Sequence, residues 1–293
     1  MTRRFTKGRN GLWKLDEAPP VSETVQFLSY FSNGLGTGNT ARSDGGAWDL
    51  LGGFGQTVVN VATEGLDFPS ENVCKFVADI SNSGFALNRH TGMPIPDVGV
   101  TRYYRWYVRQ TFPDELVGNG DHPWQDGNAI GDTNWFVGCT YGSSDAPTHS
   151  GDWQPSVWSL QTLGSTPFGA GPWLTKGVTY RIEVALYRLN TTQYDLSIRI
   201  YNIAGTLLHT STDWPADFGG GTLATRIPFD FKDVTSLDGF NCGTNDFETA
   251  GNGWWTSTFD YGYQGCFAIV DRTESISSGL WCGPFGNVPG EPT

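Results

Sequence analysis

"VTYRIEVALYRLNTTQYDLSIRIYN" occupies residues 178–202. In its first half Ile182, Val184 and Leu186 alternate with Arg181, Glu183 and Ala185. After "NTTQ", Leu196, Ile198 and Ile200 alternate with Ser197, Arg199 and Tyr201. A two-residue period places successive side chains on opposite faces of a strand, so each strand covers a core with one face only. The polar tetrapeptide supplies the turn, and the pair reads as an antiparallel hairpin.

Outward from the hairpin the same grammar repeats. Strand-like runs punctuated by turn residues fall at 24–31, 56–62, 72–80, 100–112, 134–141, 157–163, 206–212 and 265–271. No long segment keeps a helical period, and no internal repeat is visible. Composition agrees: Gly is 39 of 293 residues, aromatics are 14% and charged residues only 16%. That mix suits short strands joined by tight turns. Many half-buried antiparallel strands predict an all-β sandwich or jelly roll. Residues 21–293 are expected as one such domain, with long Gly- and aromatic-rich loops, and residues 1–20 as an extended arm ending at Pro19-Pro20.

Three stretches carry a resemblance. "GPWLTKGVTYRIEVALYRLNTTQYDLSIRIYNIAGTLL" resembles the segment of concanavalin A-like (LamG-like) jelly-roll domains that runs Trp, turn, Tyr-Arg-hydrophobic-Glu, hairpin and strand. "YYRWYVRQTF" is similar to the long aromatic-and-arginine strand of that superfamily, and "GCFAIVDRTESISSGLWCGPFGN" to its closing strand and tail. The likeness spans roughly residues 22–287. It implies a concanavalin A-like sandwich, a fold that serves lectins, polysaccharide hydrolases and lyases, and virion proteins alike, so activity must be argued from a site.

The strand from Val100 to Phe112 sets Tyr103, Arg105, Tyr107 and Arg109 on one face. Two readings fit. Tyr rings stack on sugar faces while Arg forks grip hydroxyls or carboxylates, which makes a glycan platform. Alternatively the arginines pair with acids on a neighbouring strand, Glu183 for example. The loop "ELVGNGDHPWQDGNAIGDTNW" (115–135) adds His122, Trp124 and Trp135 as candidate rim residues. Its Asp121, Asp126 and Asp132 are candidate Ca²⁺ ligands, although their spacing is not that of an EF-hand. The second aromatic loop, 246–265, carries Trp254, Trp255, Tyr261 and Tyr263 among glycines.

Catalytic patterns are thin. A retaining glycosidase of this superfamily needs acid and nucleophile on one strand face about 5 Å apart, as in E-x-D-x-E. Glu115, Glu183, Glu248 and Glu274 stand alone. A lyase needs a Tyr or His base with an Arg, Asn or Gln to neutralise the substrate carboxylate. Arg105, Arg109, His122 and Tyr141 supply those types, but the alginate-lyase motif triplet is absent. No G-x-S-x-G elbow or nucleotide loop stands in a fitting context. Cys74, Cys139, Cys242, Cys266 and Cys282 contain no CxxC pair, so a zinc site is not expected. They read as buried thiols, or as one disulfide among the last three.

Charge is the remaining signal. All 30 acids follow Lys14, whereas Arg3, Arg4, Lys7, Arg9 and Lys14 open the chain. The first fourteen residues are therefore +5 against a net charge of −12 for the whole. An acidic domain is a poor phosphate binder, so nucleic acid is not expected as a partner. No run of 18 apolar residues exists, so no membrane-spanning helix is expected. Gly8, Arg9, Asn10, Gly11 and Lys14 break every apolar run near the start, so the leader is not read as a signal peptide. With Phe5 and Trp13 as apolar anchors, it reads as an assembly arm. The expectation is a non-catalytic attachment protein of a larger assembly, such as a virion (phage-like) decoration or fibre protein. It would have a lectin-like polysaccharide-binding sandwich and form a homo-oligomer. The competing expectation is a secreted polysaccharide lyase or glycan-binding module.

Overall fold

A computed structural model of the chain describes residues 23–31, 50–53, 56–78, 86–90, 93–111, 125–130, 137–143, 152–159, 166–170, 172–211, 226–228, 240–246 and 259–276, with 5–7 and 13–15 near the start. Nineteen strands are described. The first seven are β1 (Phe5–Lys7), β2 (Trp13–Leu15), β3 (Glu23–Ser29), β4 (Leu50–Gly53), β5 (Gln56–Asn60), β6 (Asn72–Ala78) and β7 (Ala86–His90). Then come β8 (Thr101–Gln110), β9 (Gln125–Ile130), β10 (Val137–Ser143), β11 (Asp152–Ser159), β12 (Thr166–Ala170) and β13 (Leu174–Thr175). The last six are β14 (Tyr180–Arg188), β15 (Gln193–Asn202), β16 (Leu207–Thr210), β17 (Arg226–Pro228), β18 (Phe240–Asp246) and β19 (Phe259–Arg272).

One sheet runs β12-β11-β10-β9-β18-β7-β4, with β13 also on β11. The other runs β16-β15-β14-β8-β19-β6-β5, with β17 on β15 and β3 on β19. All strand pairs are antiparallel. Aromatic rings join the sheets face to face. Phe240 of β18 lies 5.9 Å from Tyr104, 6.0 Å from Trp106 and 5.7 Å from Phe267, ring centre to ring centre. Trp153 of β11 meets Tyr180 of β14 at 5.9 Å. The anticipated antiparallel sandwich is the fold, and its core lies between these sheets.

The hairpin pairs as its pattern demands, with Ile182↔Ile200, Val184↔Ile198 and Leu186↔Leu196. These six side chains are all buried. At about 25 cal/mol per Å² of apolar surface, each contributes roughly 1.5–3 kcal/mol. The longest described strand of this sheet is β19, fourteen residues long. It runs against β8, while its first part pairs with β6 and its last part with β3. Between Gly265↔Tyr107 and Ala268↔Arg105 it carries one extra residue. Cys266 absorbs the bulge at φ 53.

Three local expectations are corrected. The run 56–62 was expected as one strand, but it stops at Asn60, which caps a short helix, α1 (Val61–Glu64). The Asn60 Oδ1 accepts from the Thr63 N–H at 3.1 Å, and Gly65 closes the turn at φ 67. The stretch 115–135 was expected as a loop throughout, yet 125–130 is β9, paired on both sides. The run at 157–163 instead occupies 152–159 and includes Pro155. A proline lacks the ladder N–H, and Pro155 falls opposite the gap between β12 and β13, where no described residue pairs with it. At the N-terminus, β1 and β2 pair with each other in a two-stranded sheet of their own.

Candidate functional site

Tyr104 and Trp106 reach the opposite sheet, so Tyr103, Arg105, Tyr107 and Arg109 point away from it. Register then fixes their neighbours, because directly paired residues share a face. Arg105 stands opposite Glu183 of β14, and Glu183 stands opposite Arg199 of β15. Tyr107 is opposite Arg181, and Tyr103 is opposite Ala185. The Arg181 Nε lies 3.3 Å from the Glu183 Oε1, and its guanidinium stacks 4.1 Å above the Tyr201 ring. Arg105 and Arg199 thus stand opposite Glu183 in register, and Arg181 is the arginine whose side chain lies against its carboxylate.

The face is more enclosed than an open platform. Tyr103 and Tyr107 are fully buried, and Arg105, Arg181 and Glu183 are 3%, 5% and 1% exposed. Arg109 and Arg199 are half-buried. Burial works against the Arg181 charge, but Glu183 and Tyr107 outweigh it and leave its pKa raised. Burial, then the Glu183 charge, raises Tyr201 above its usual value, with Arg199 and Arg181 offsetting part of the rise.

Both ends of the face are walled. At one end the Tyr103 hydroxyl donates to the Glu274 Oε1 at 3.3 Å, and the Arg272 guanidinium stands 5.3 Å from the Tyr103 ring. At the other end α1 and residues 65–71 lie over β8 and β19. Val61, Phe68 and Val73 pack on Tyr107, Tyr263 and Cys266 there. Two polar latches hold this segment. Asp67 Oδ1 accepts from the Arg109 Nη1 at 3.2 Å and from the Thr179 hydroxyl. Glu64 Oε2 accepts from the Lys75 Nζ at 3.3 Å and from the Tyr263 hydroxyl at 3.1 Å.

Of the expected site residues, the structure brings together Tyr103, Arg105, Tyr107 and Arg109. His122, Trp124, Trp135, Asp121 and Asp132 lie outside the described residues, as do Arg3, Arg4 and Arg9. Asp126 lies in β9, with its backbone opposite Tyr141 and Thr244. Phe5, Lys7, Trp13 and Lys14 lie in β1 and β2. Among the described residues no cluster of His, Cys, Asp or Glu could hold a metal. Cys74 and Cys266 are buried thiols, and the Cys266 Sγ donates to the Ser70 Oγ at 3.1 Å. Arg181, Arg199 and Tyr201 were not singled out from sequence. Their signal was the outward half of the hairpin's alternation, read only for its apolar half.

No protein-family model matches the chain, and no curated protein matches it. Among solved structures, a mutant alginate lyase in complex with alginate trisaccharide is 16% identical, with 86% of this chain and 98% of that chain covered and a TM-score of 0.47. An endo-β-1,4-glucuronan lyase from the fungus Trichoderma reesei is 12% identical, with 84% and 95% covered and a TM-score of 0.45. A carbohydrate esterase from a Shiga toxin-encoding bacteriophage is 9% identical, with 85% and 99% covered and a TM-score of 0.44. Likenesses at this level assign no residue a role. The strand order and the cross-sheet aromatic contacts make the chain an antiparallel β-sandwich of two facing sheets.

Proposed function

We propose that the chain is a non-catalytic, glycan-binding attachment protein of a larger extracellular assembly such as a virion, and that its glycan is acidic. The observation that carries this reading is the row Arg105–Glu183–Arg199 with Arg181 alongside. Three basic residues, two opposite Glu183 in register and one beside its carboxylate, surround a single acid in a chain whose net charge is −12. In a poorly solvated setting such charge attracts a carboxylate far more strongly than it would in water. Arg forks match carboxylate geometry. A ligand reaches the half-buried Arg109 and Arg199, while Arg105 and Arg181 act from behind. In this reading the N-terminal arm tethers the sandwich to its assembly.

Affinity electrophoresis of the purified chain through alginate, heparin, pectin and glucuronan tests it. Retardation is expected in at least one acidic glycan, weakening with salt because the Debye length is about 8 Å at physiological ionic strength. Replacing Arg109 and Arg199 with Ala should abolish the retardation, while loss of the partly exposed Arg109–Asp67 pair lowers stability by no more than about 1 kcal/mol. Indifference to all acidic glycans overturns the binding role. Release of unsaturated sugars, read by ultraviolet absorbance, overturns the non-catalytic one.

A further inference from the structure

The face of β8 that looks between the sheets changes character along its length. Tyr104 and Trp106 pack on Phe240 of the opposite sheet. Val108 and Gln110 continue that face, because alternate residues of a strand share a side. Val108 stands opposite Gln264 of β19, and Gln110 stands opposite Gly262. Directly paired residues share a face, so Gln110 and Gln264 both point between the sheets, one diagonal step apart. Inward positions of a sandwich are normally apolar. Here two neighbouring ones carry amides.

Both side chains are shut off from solvent, at 1% exposure each. Neither has a hydrogen-bond partner for its oxygen or its nitrogen among the described residues, and the two amides do not bond to each other. The Gln110 Oε1 lies instead over Gly262, where an added Cβ would meet it at 2.6 Å. The nearby polar groups are engaged elsewhere. Cys74, opposite Gln264 on β6, donates its thiol to the Lys75 carbonyl at 3.9 Å. The hydroxyl of Tyr180, which stands opposite Val108, accepts from the Thr175 N–H at 3.0 Å.

Two primary amides offer four N–H donors and two acceptor oxygens. Leaving them unpaired in a core destabilises the fold, so a molecule from outside the chain has to satisfy them. That molecule is neutral, because the residues paired with the two glutamines are Gly262, Cys74 and Val108, and none could balance an ion. It is small, because diagonal neighbours stand only about 7–8 Å apart and one molecule must touch both amides. It both donates and accepts. Water meets all three conditions, and a buried water typically makes about three hydrogen bonds to polar groups that otherwise lack them.

We propose that Gln110 and Gln264 hold an internal water between the two sheets, bonded to both amides, which joins β8 to β19 on the side away from the glycan face. Magnetisation transfer from water to the side-chain amides, in protein made with isotope-labelled glutamine, tests this. Both amides should show the sign of transfer that marks a long-lived bound water. Gln264→Met keeps the length of the side chain and removes its polar atoms, so it should abolish the transfer at Gln110. Gln110→Met should abolish it at Gln264. Each single variant should melt below the parent, and the double variant should recover at least half of the loss, since both polar ends then leave together. No transfer at either amide overturns the proposal, as does transfer that survives at one glutamine after the other is replaced. A double variant that melts below both singles overturns it too. If a single variant fails to fold, Gly262→Ala, whose methyl group presses on the Gln110 Oε1, should weaken the transfer at both glutamines, and unchanged transfer there is equally fatal. None of these readouts uses a glycan, so this site and the glycan face stand or fall separately.

Discussion

Arg102 illustrates how a single buried charge behaves in this core. It is fully buried, and its guanidinium is matched to Asp271 by two parallel hydrogen bonds. Burial opposes its charge, and Asp271 together with Tyr104 reverses that and raises its pKa. Replacing Arg102 with Leu strands the carboxylate and should cost about 3–5 kcal/mol. Replacing both partners with Leu should cost well under the sum of the single losses, because no unpaired charge remains. Urea denaturation of the two single variants and the double variant measures the difference. Tyr194 gives a second prediction at this scale. Burial raises its pKa well above 10.0. A raised pKa contributes stability that is present below the unfolded value near 10 and lost as pH rises through the folded value. The melting temperature should therefore fall above about pH 10, and Tyr194→Phe should lose less than the parent between about pH 9 and 11. An equal loss in both would mean that other groups govern alkaline unfolding.

Among the elements, α1 and the residues after it depend on a few local bonds. The Asn60 cap, the Gly65 turn and the Val61 N–H to Glu71 carbonyl bond of 2.9 Å hold the segment over β8. Asn60→Ala should cost about 1 kcal/mol. Amide exchange at Thr63 should quicken more than in the β14–β15 hairpin, and uniform quickening would show that the segment opens only with the whole domain. This element was invisible in the sequence. "VVNVATEG" alternates poorly and is too short to show a helical period, so only Asn60 and Gly65 marked its ends. The hairpin at 180–202, by contrast, was legible nearly to the residue, because period-two patterning and a polar turn act together. Strand β9 was not, since "QDGNAI" carries no apolar alternation and is made a strand by its neighbours on both sides. The candidate site was half legible. Tyr103 to Arg109 were read from one strand, but the placement of Arg105 and Arg199 opposite Glu183 depends on the register of three, which no single segment encodes.

Across the whole molecule, long-range pairing dominates. β3 meets the end of β19 with Ser29 opposite Phe267, and β6 and β8 also wait for β19. Such pairings carry a high loop-closure cost and fold slowly. A chain ending at residue 258 lacks β19 and should remain sensitive to protease and bind a hydrophobic dye. A protected truncated chain would show that the eight-stranded sheet and the hairpin are stable without it.

The position of β19 near the end of the sequence also bears on how the protein is made. Synthesis runs from the N-terminus, and β19 leaves the ribosome after the strands it pairs with. Until then β3, β6 and β8 lack the partner that joins them, and their apolar faces are open to chaperones and to other nascent chains. The charged residues 3–14 emerge before those strands and are present throughout that interval. Their five like charges repel those of neighbouring nascent chains at the stage when the exposed strands are most prone to cross-pair.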